Sequence, residues 1–140
     1  MPLFIRGVVS AQDCTPLEGA ALEVWQADAD GHYDNDHGDP GPSVWVLRGT
    51  LTTDACGRYA FHTVKPGNYL NGNQYRPSHI HIRVTHPLTE ELVTQLYFAN
   101  DPYNAIDSMF KPSLAINLQP WEAFDVGDFN VVMKLKASNR

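Results

Sequence analysis

Cysteine, basic residues and long apolar runs are all scarce in this chain, and each shortage closes a class of function. Two cysteines, Cys14 and Cys56, are too few for a disulfide framework and do not have C-x-x-C spacing. They are expected as free thiols in a reducing cytoplasm, with a single bridge between them left open. Lys and Arg number 10 against 16 Asp and Glu, for a formal charge of −6. With no basic cluster to offset that balance, a nucleic-acid backbone is not an expected partner. The opening residues, Met1-Pro2-Leu3-Phe4-Ile5-Arg6, hold no apolar core of signal-peptide length, and no later run approaches a membrane span. Repeats, low-complexity tracts, linkers and long amphipathic helices are also lacking. What is left is one domain, 1–140, large enough for its own core.

Turn formers and β-formers are what the chain has. Ten glycines and ten prolines are scattered between short runs of strand composition. Strands are predicted at Phe4–Ser10, Gly19–Gln26, Val44–Thr52, Arg58–Val64, Leu92–Phe98 and Asp128–Lys136, with a hairpin turn at Thr53–Gly57. A long loop from Asp28 to about Ser43 carries His32, Tyr33 and His37, and loops of that length are often functional. Lys65–Asn73 reads as a Gly/Pro/Asn loop, and Tyr103–Met109 as a short helix with a proline before it. Short strands with regular turn signals predict an all-β sandwich.

One stretch organises the rest: Tyr75-Arg76-Pro77-Ser78-His79-Ile80-His81-Ile82-Arg83-Val84. Strand side chains alternate faces, so His79 and His81 point the same way, roughly 6–7 Å apart at their Cα atoms. Two imidazoles so placed can share a metal ion. They are equally compatible with a polar strand face that happens to carry two histidines. No carboxylate lies near them on their own face, and Glu90 and Glu91 sit in a turn. A cupin-like site would want a glutamate a few residues on, where Thr85 and His86 stand instead. Tyrosine is a less obvious candidate, at Tyr69 in the loop before the pair and at Tyr33 in the long loop. A phenol ordinarily titrates near 10, but a ferric ion favours the phenolate. Taken singly, each tyrosine is also an ordinary half-buried aromatic.

The segments W-Q-A-D-A-D-G-H-Y-D, R-G-T-L-T-T-D-A-C-G-R-Y-A-F, V-K-P-G-N-Y and Y-R-P-S-H-I-H-I-R-V, in that order and spacing, resemble the core of the intradiol ring-cleavage catechol dioxygenases. The resemblance runs from about Gly7 to Pro102. It implies a β-sandwich holding non-haem Fe(III) through two tyrosinates and two histidines, here Tyr33, Tyr69, His79 and His81. It further implies that Arg76 sits over the bound ring and that Gln95 approaches from the neighbouring strand. Tyr69 would be the ligand that leaves when a catechol binds as a dianion, and so a proton acceptor. The product, with O2 as co-substrate, would be a cis,cis-muconate-type diacid.

Three features depart from that family. The sandwich begins within the first residues, without the helical N-terminal dimerisation region of catechol-specific members. The wall such parts provide is then missing, or is supplied by a neighbouring copy in a homo-oligomer. Tyr75 stands where the family often has Trp, and Cys56 lies in the D-A-C-G turn. The pattern as far as Tyr69 also resembles transthyretin-like binding modules without iron; the R-P-S-H-I-H strand separates the two readings. A zinc or copper site on the same histidines is the third.

Overall fold

Alternating apolar residues build two facing sheets. A computed structural model describes residues 2–29, 31, 47–71 and 73–137, with Tyr69 and Asn71 described by their backbone. Its strands are β1 (Pro2–Ala11), β2 (Ala21–Gln26), β3 (Arg48–Thr52), β4 (Arg58–Val64), β5 (Tyr69–Asn71), β6 (Gln74–Arg76), β7 (His79–Thr85), β8 (Leu92–Phe98), β9 (Ala115–Ile116), β10 (Gln119–Trp121), β11 (Phe124–Asp128) and β12 (Val131–Met133). One sheet centres on β1, flanked by β4 on one edge and by β11 and then β12 on the other, with β10 beyond β11. The second runs β3-β2-β7-β8-β9, and β5 and β6 form a separate hairpin. All-β is the class the sequence indicates, and the sandwich is what forms.

The core is the space between the sheets. Leu3, Ile5 and Val9 from β1 meet Leu22, Ile80, Ile82, Val84, Leu96 and Phe98 from the other sheet, all essentially without solvent contact. Burying each such side chain is worth about 1.5–3 kcal/mol. Because Ile80, Ile82 and Val84 face inward, the period of two turns His79, His81 and Arg83 to the opposite face. The core strand and the histidine strand are therefore one element, and neither face can slip register without the other.

Several boundaries differ from expectation, each for a local reason. The final strand, expected unbroken over Asp128–Lys136, divides at Phe129–Asn130. There Phe129 N–H donates to Arg6 O, Asn130 Oδ1 accepts from Val8 N–H, and the buried Tyr59 hydroxyl donates to Phe129 O. A Cβ on Gly7 would collide with that same carbonyl, so glycine is required at the crossing. The expected helix over Tyr103–Met109 is only a 3-10 turn at Asn104–Ile106, after which Asp107 is extended (φ −82°, ψ 123°). Asp107 Oδ1 takes the Met109 N–H at 2.8 Å, so a side chain replaces the bond that would continue a helix.

The loop expected over Lys65–Asn73 contains β5, paired with β6. Strands β9, β10 and β11 form where the sequence shows no strand signal; their residues alternate weakly and two of the three are very short. Of the strand expected over Val44–Thr52, Arg48–Thr52 is formed, and residues 44–46 lie outside those described. Cys14 and Cys56 are free and exposed. Among the described residues no helix is long and apolar enough to cross a membrane.

Candidate active site

The histidine face of β7 becomes a site because its two neighbouring strands put aromatic and amide side chains beside it. In register, Trp25 of β2, His81 of β7 and Gln95 of β8 form one row, and His79 lies opposite Tyr97. The imidazoles of His79 and His81 have centroids 4.8 Å apart and cross at 76°. The indole of Trp25 stacks flat on His81, 5.0 Å away and within 2° of parallel, which fixes the plane of that ring.

His79 is held differently. Its Nδ1 lies 2.7 Å from Pro77 O, and a carbonyl only accepts, so Nδ1 carries the proton and Nε2 presents its lone pair. His79 is 2% exposed. Burial is the main cause that lowers its pKa, and burial together with the neighbouring His79 pushes His81 down to about 4. Both rings are therefore neutral near pH 7, the form in which imidazole binds a metal.

Arg76 reaches this face from β6 and is gripped on several sides. Nε and Nη2 donate to Asp107 Oδ2 at 2.8 and 2.6 Å, Nη2 to Gln95 Oε1 at 2.8 Å, and Nη1 lies 3.3 Å from His79 Nε2. The fully buried Tyr97 sends its hydroxyl to Gln95 Oε1 at 2.8 Å and lies 3.3 Å from Arg76 Nη2. The result is a continuous polar network, Asp107–Arg76–Gln95–Tyr97, ending against His79.

The chain just after β2 and the loop before β5 approach each other closely at Gly67. Gly67 N–H donates to Asp28 O at 2.8 Å, and a Cβ there would stand 2.5 Å from Ala29 O and 2.7 Å from Gly31 N. Only glycine allows that approach. Asp101 ties the loop to the strand: Oδ2 accepts from Ser78 N–H at 2.9 Å and from Asn68 Nδ2 at 3.1 Å. Tyr69 follows at the start of β5, where its backbone is paired with Arg76. Tyr33 lies outside the described residues.

The donors fit a metal bound through nitrogen and completed by other atoms. Among the described residues no cluster of three or more His, Cys, Asp or Glu could hold an ion. The oriented, neutral His79 and His81 are two nitrogen donors on one face of β7. Of the residues singled out from sequence, the structure brings His79, His81, Arg76 and Gln95 together. Sequence reasoning missed Trp25, Tyr97 and Asp107. Tyr97 was within reach, two residues from Gln95 and so on its face. Asp107, 31 positions beyond Arg76, carried no local signal.

Comparison with known proteins points one way. The family model described as Dioxygenase matches residues 1–120. The chain is 39% identical over 121 residues to a catechol 1,2-dioxygenase of Candida albicans, a match covering 76% of this chain and 40% of that protein. Among solved structures, the dioxygenase domain of a dioxygenase–carbohydrate-binding fusion from Streptomyces sp. SirexAA-E superposes with a TM-score of 0.84 at 35% identity, covering 96% of this chain and 80% of that one. The 3-chlorocatechol 1,2-dioxygenase of Rhodococcus opacus 1CP gives 0.88 at 29% identity, covering 96% and 60%. The chain spans roughly half the length of the curated relatives it matches.

Proposed function

We propose that this chain, which belongs to the family of intradiol ring-cleaving dioxygenases, uses a non-haem ferric ion to cleave a catechol-type substrate with O2 to a cis,cis-muconate-type diacid. The observation that carries this reading is the convergence of two oriented neutral imidazoles with a buried guanidinium on one sheet face. His79 and His81 would hold the ion, with Tyr33 and Tyr69 as its oxygen donors. When bound, ferric iron supplies Lewis acidity and a template that makes the ring carbon reactive toward dioxygen.

The chain's own residues do the rest. Pro77 O and the Trp25 indole keep the two imidazoles in their planes, so neither must reorganise when substrate enters. The Tyr69 phenolate would take one hydroxyl proton of the catechol at Oη and become a neutral phenol, and hydroxide at the site would take the second, so that the catechol binds as a dianion. Arg76 remains protonated at any relevant pH, so its field stabilises charge developing on the ring without titrating. Gln95 Oε1 accepts from both Arg76 Nη2 and the Tyr97 hydroxyl, and so keeps the guanidinium beside the ring.

Ile106 and Met109, 55% and 60% exposed, stand beside Asp107, and Met109 Sδ lies 3.4 Å from Gln95 Nε2. That apolar rim suits catechols bearing apolar substituents. The alternative of a non-catalytic sandwich module leaves the oriented imidazoles and the buried ion pair without a role.

Reconstitution with ferric iron tests the proposal. A burgundy to brown protein that consumes oxygen with catechols and forms a muconate-type product is expected, with substituted catechols turned over at least as well as catechol. Protein that stays colourless and inactive after reconstitution would refute it. Strong preference for unsubstituted catechol would refute only the role given to the rim.

A further inference from the structure

We propose that Asp107 is a positioning residue: it locks the Arg76 guanidinium so that the Nη1 edge faces a ring bound beside His79. This rests on the functional reading above and goes beyond it. A guanidinium is planar, so fixing two of its nitrogens fixes the third. Asp107 Oδ2 holds Nε and Nη2 at 2.8 and 2.6 Å, and Nη1 is thereby set 3.3 Å from His79 Nε2. The anchor is itself anchored. Its other oxygen, Oδ1, accepts Met109 N–H at 2.8 Å, and its own N–H donates to Asn104 O at 3.2 Å.

Burial separates this pair from the other ion pairs. Side-chain exposure is 14% for Arg76 and 4% for Asp107, against 46–68% for both partners of every other ion pair among the described residues. Taking two charges out of water is costly, and apolar residues of the same volume often serve stability as well or better. The arrangement is accounted for by what it does to Arg76. A long side chain with many rotamers becomes a fixed donor aimed at one place, and catalysis gains from such pre-set geometry.

The division of labour between the two oxygens supplies a clean variant. Asp107→Asn can keep the Oδ1 bond to Met109 N–H, and so the turn, while placing an amide donor against the guanidinium. In the iron-loaded protein we expect full iron content and kcat/KM lowered about 10- to 100-fold, the scale of a catalytic group misplaced by an ångström or less. The same substitution in an Arg76→Gln background should do nothing further. A double-mutant cycle on turnover and on anaerobic catechol affinity, read from the charge-transfer band, measures this.

Additive losses in an active wild type would overturn the positioning role and leave the functional reading intact. A wild type that neither binds nor cleaves catechol would overturn that reading instead. Should Asp107→Asn not accumulate as folded protein, Asp107→Glu keeps the charge and moves it by one methylene. Its kcat is expected to fall with KM little changed, and a wild-type kcat would overturn the assignment.

Discussion

The two outer faces of the sandwich make an instructive pair. Both arise from the same alternation that fills the core, and both carry aromatic and charged side chains. On the β1 sheet, Phe4 packs beside His62 and Phe124, with ring centroids 4.7 and 6.3 Å away, and Arg6 pairs with Asp128 at 2.7 Å. Among the described residues, cavities of about 780 and 350 Å³ lie there, and Phe4, Arg6 and Asp128 line both. Along the β7 sheet, the cavity beside Arg76 and Asp107 is about 210 Å³.

Burial of polar groups separates them. His62 is exposed while His79 is 2% exposed, and the Arg6 and Asp128 side chains are 56% and 65% exposed against 14% and 4% for Arg76 and Asp107. A surface pair costs nothing to keep solvated and contributes about 0–1 kcal/mol. Groups withdrawn from water must be held by others, and that holding gives a fixed geometry. The β7 face has it because the β5–β6 hairpin and the segment around Asp107 close over it.

Matched substitutions on the two faces sharpen this contrast. His79→Ala and His81→Ala should abolish iron binding and activity altogether, while His62→Ala keeps both; metal analysis of the purified variants decides. Arg76→Gln should retain iron and lose about 10²–10³ in kcat, the usual loss for one donor to developing charge. Trp25→Ala frees the His81 ring to turn and should weaken iron retention about tenfold, by chelator competition.

Protons give a smaller, graded effect. Unfolded His81 titrates near 6.5 and folded His81 at about 4, with His79 shifted the same way. The unfolded chain therefore binds more protons in that window. Metal-free protein should have its full share of this stability above 6.5 and lose it as pH falls toward 4. Melting temperatures across the window check this, and an unchanged melting temperature would count against buried neutral rings. Smallest of all, Arg6→Ala should move stability by no more than about 1 kcal/mol in a denaturant melt.

How much of this was legible in the sequence depended on the range of the interaction. The alternation that sets Ile80 and Ile82 against His79 and His81 is local, and so is the step from Gln95 to Tyr97. Both could be read from the chain alone. Trp25 stacking on His81 depends on the register of β2 against β7, and the grip of Asp107 on Arg76 depends on how the hairpin folds over the sheet. Neither leaves a mark in spacing. The expected helix over Tyr103–Met109 failed for a related reason, since the Asp107 carboxylate bonds both the local backbone and a distant arginine.

The claim that the β7 face holds ferric iron is tested most directly by electron paramagnetic resonance of the iron-reconstituted protein. A high-spin ferric signal that changes when catechol is added without oxygen, and that is lost in His81→Ala, is expected. A signal indifferent to catechol, or one that survives His81→Ala unchanged, would contradict it.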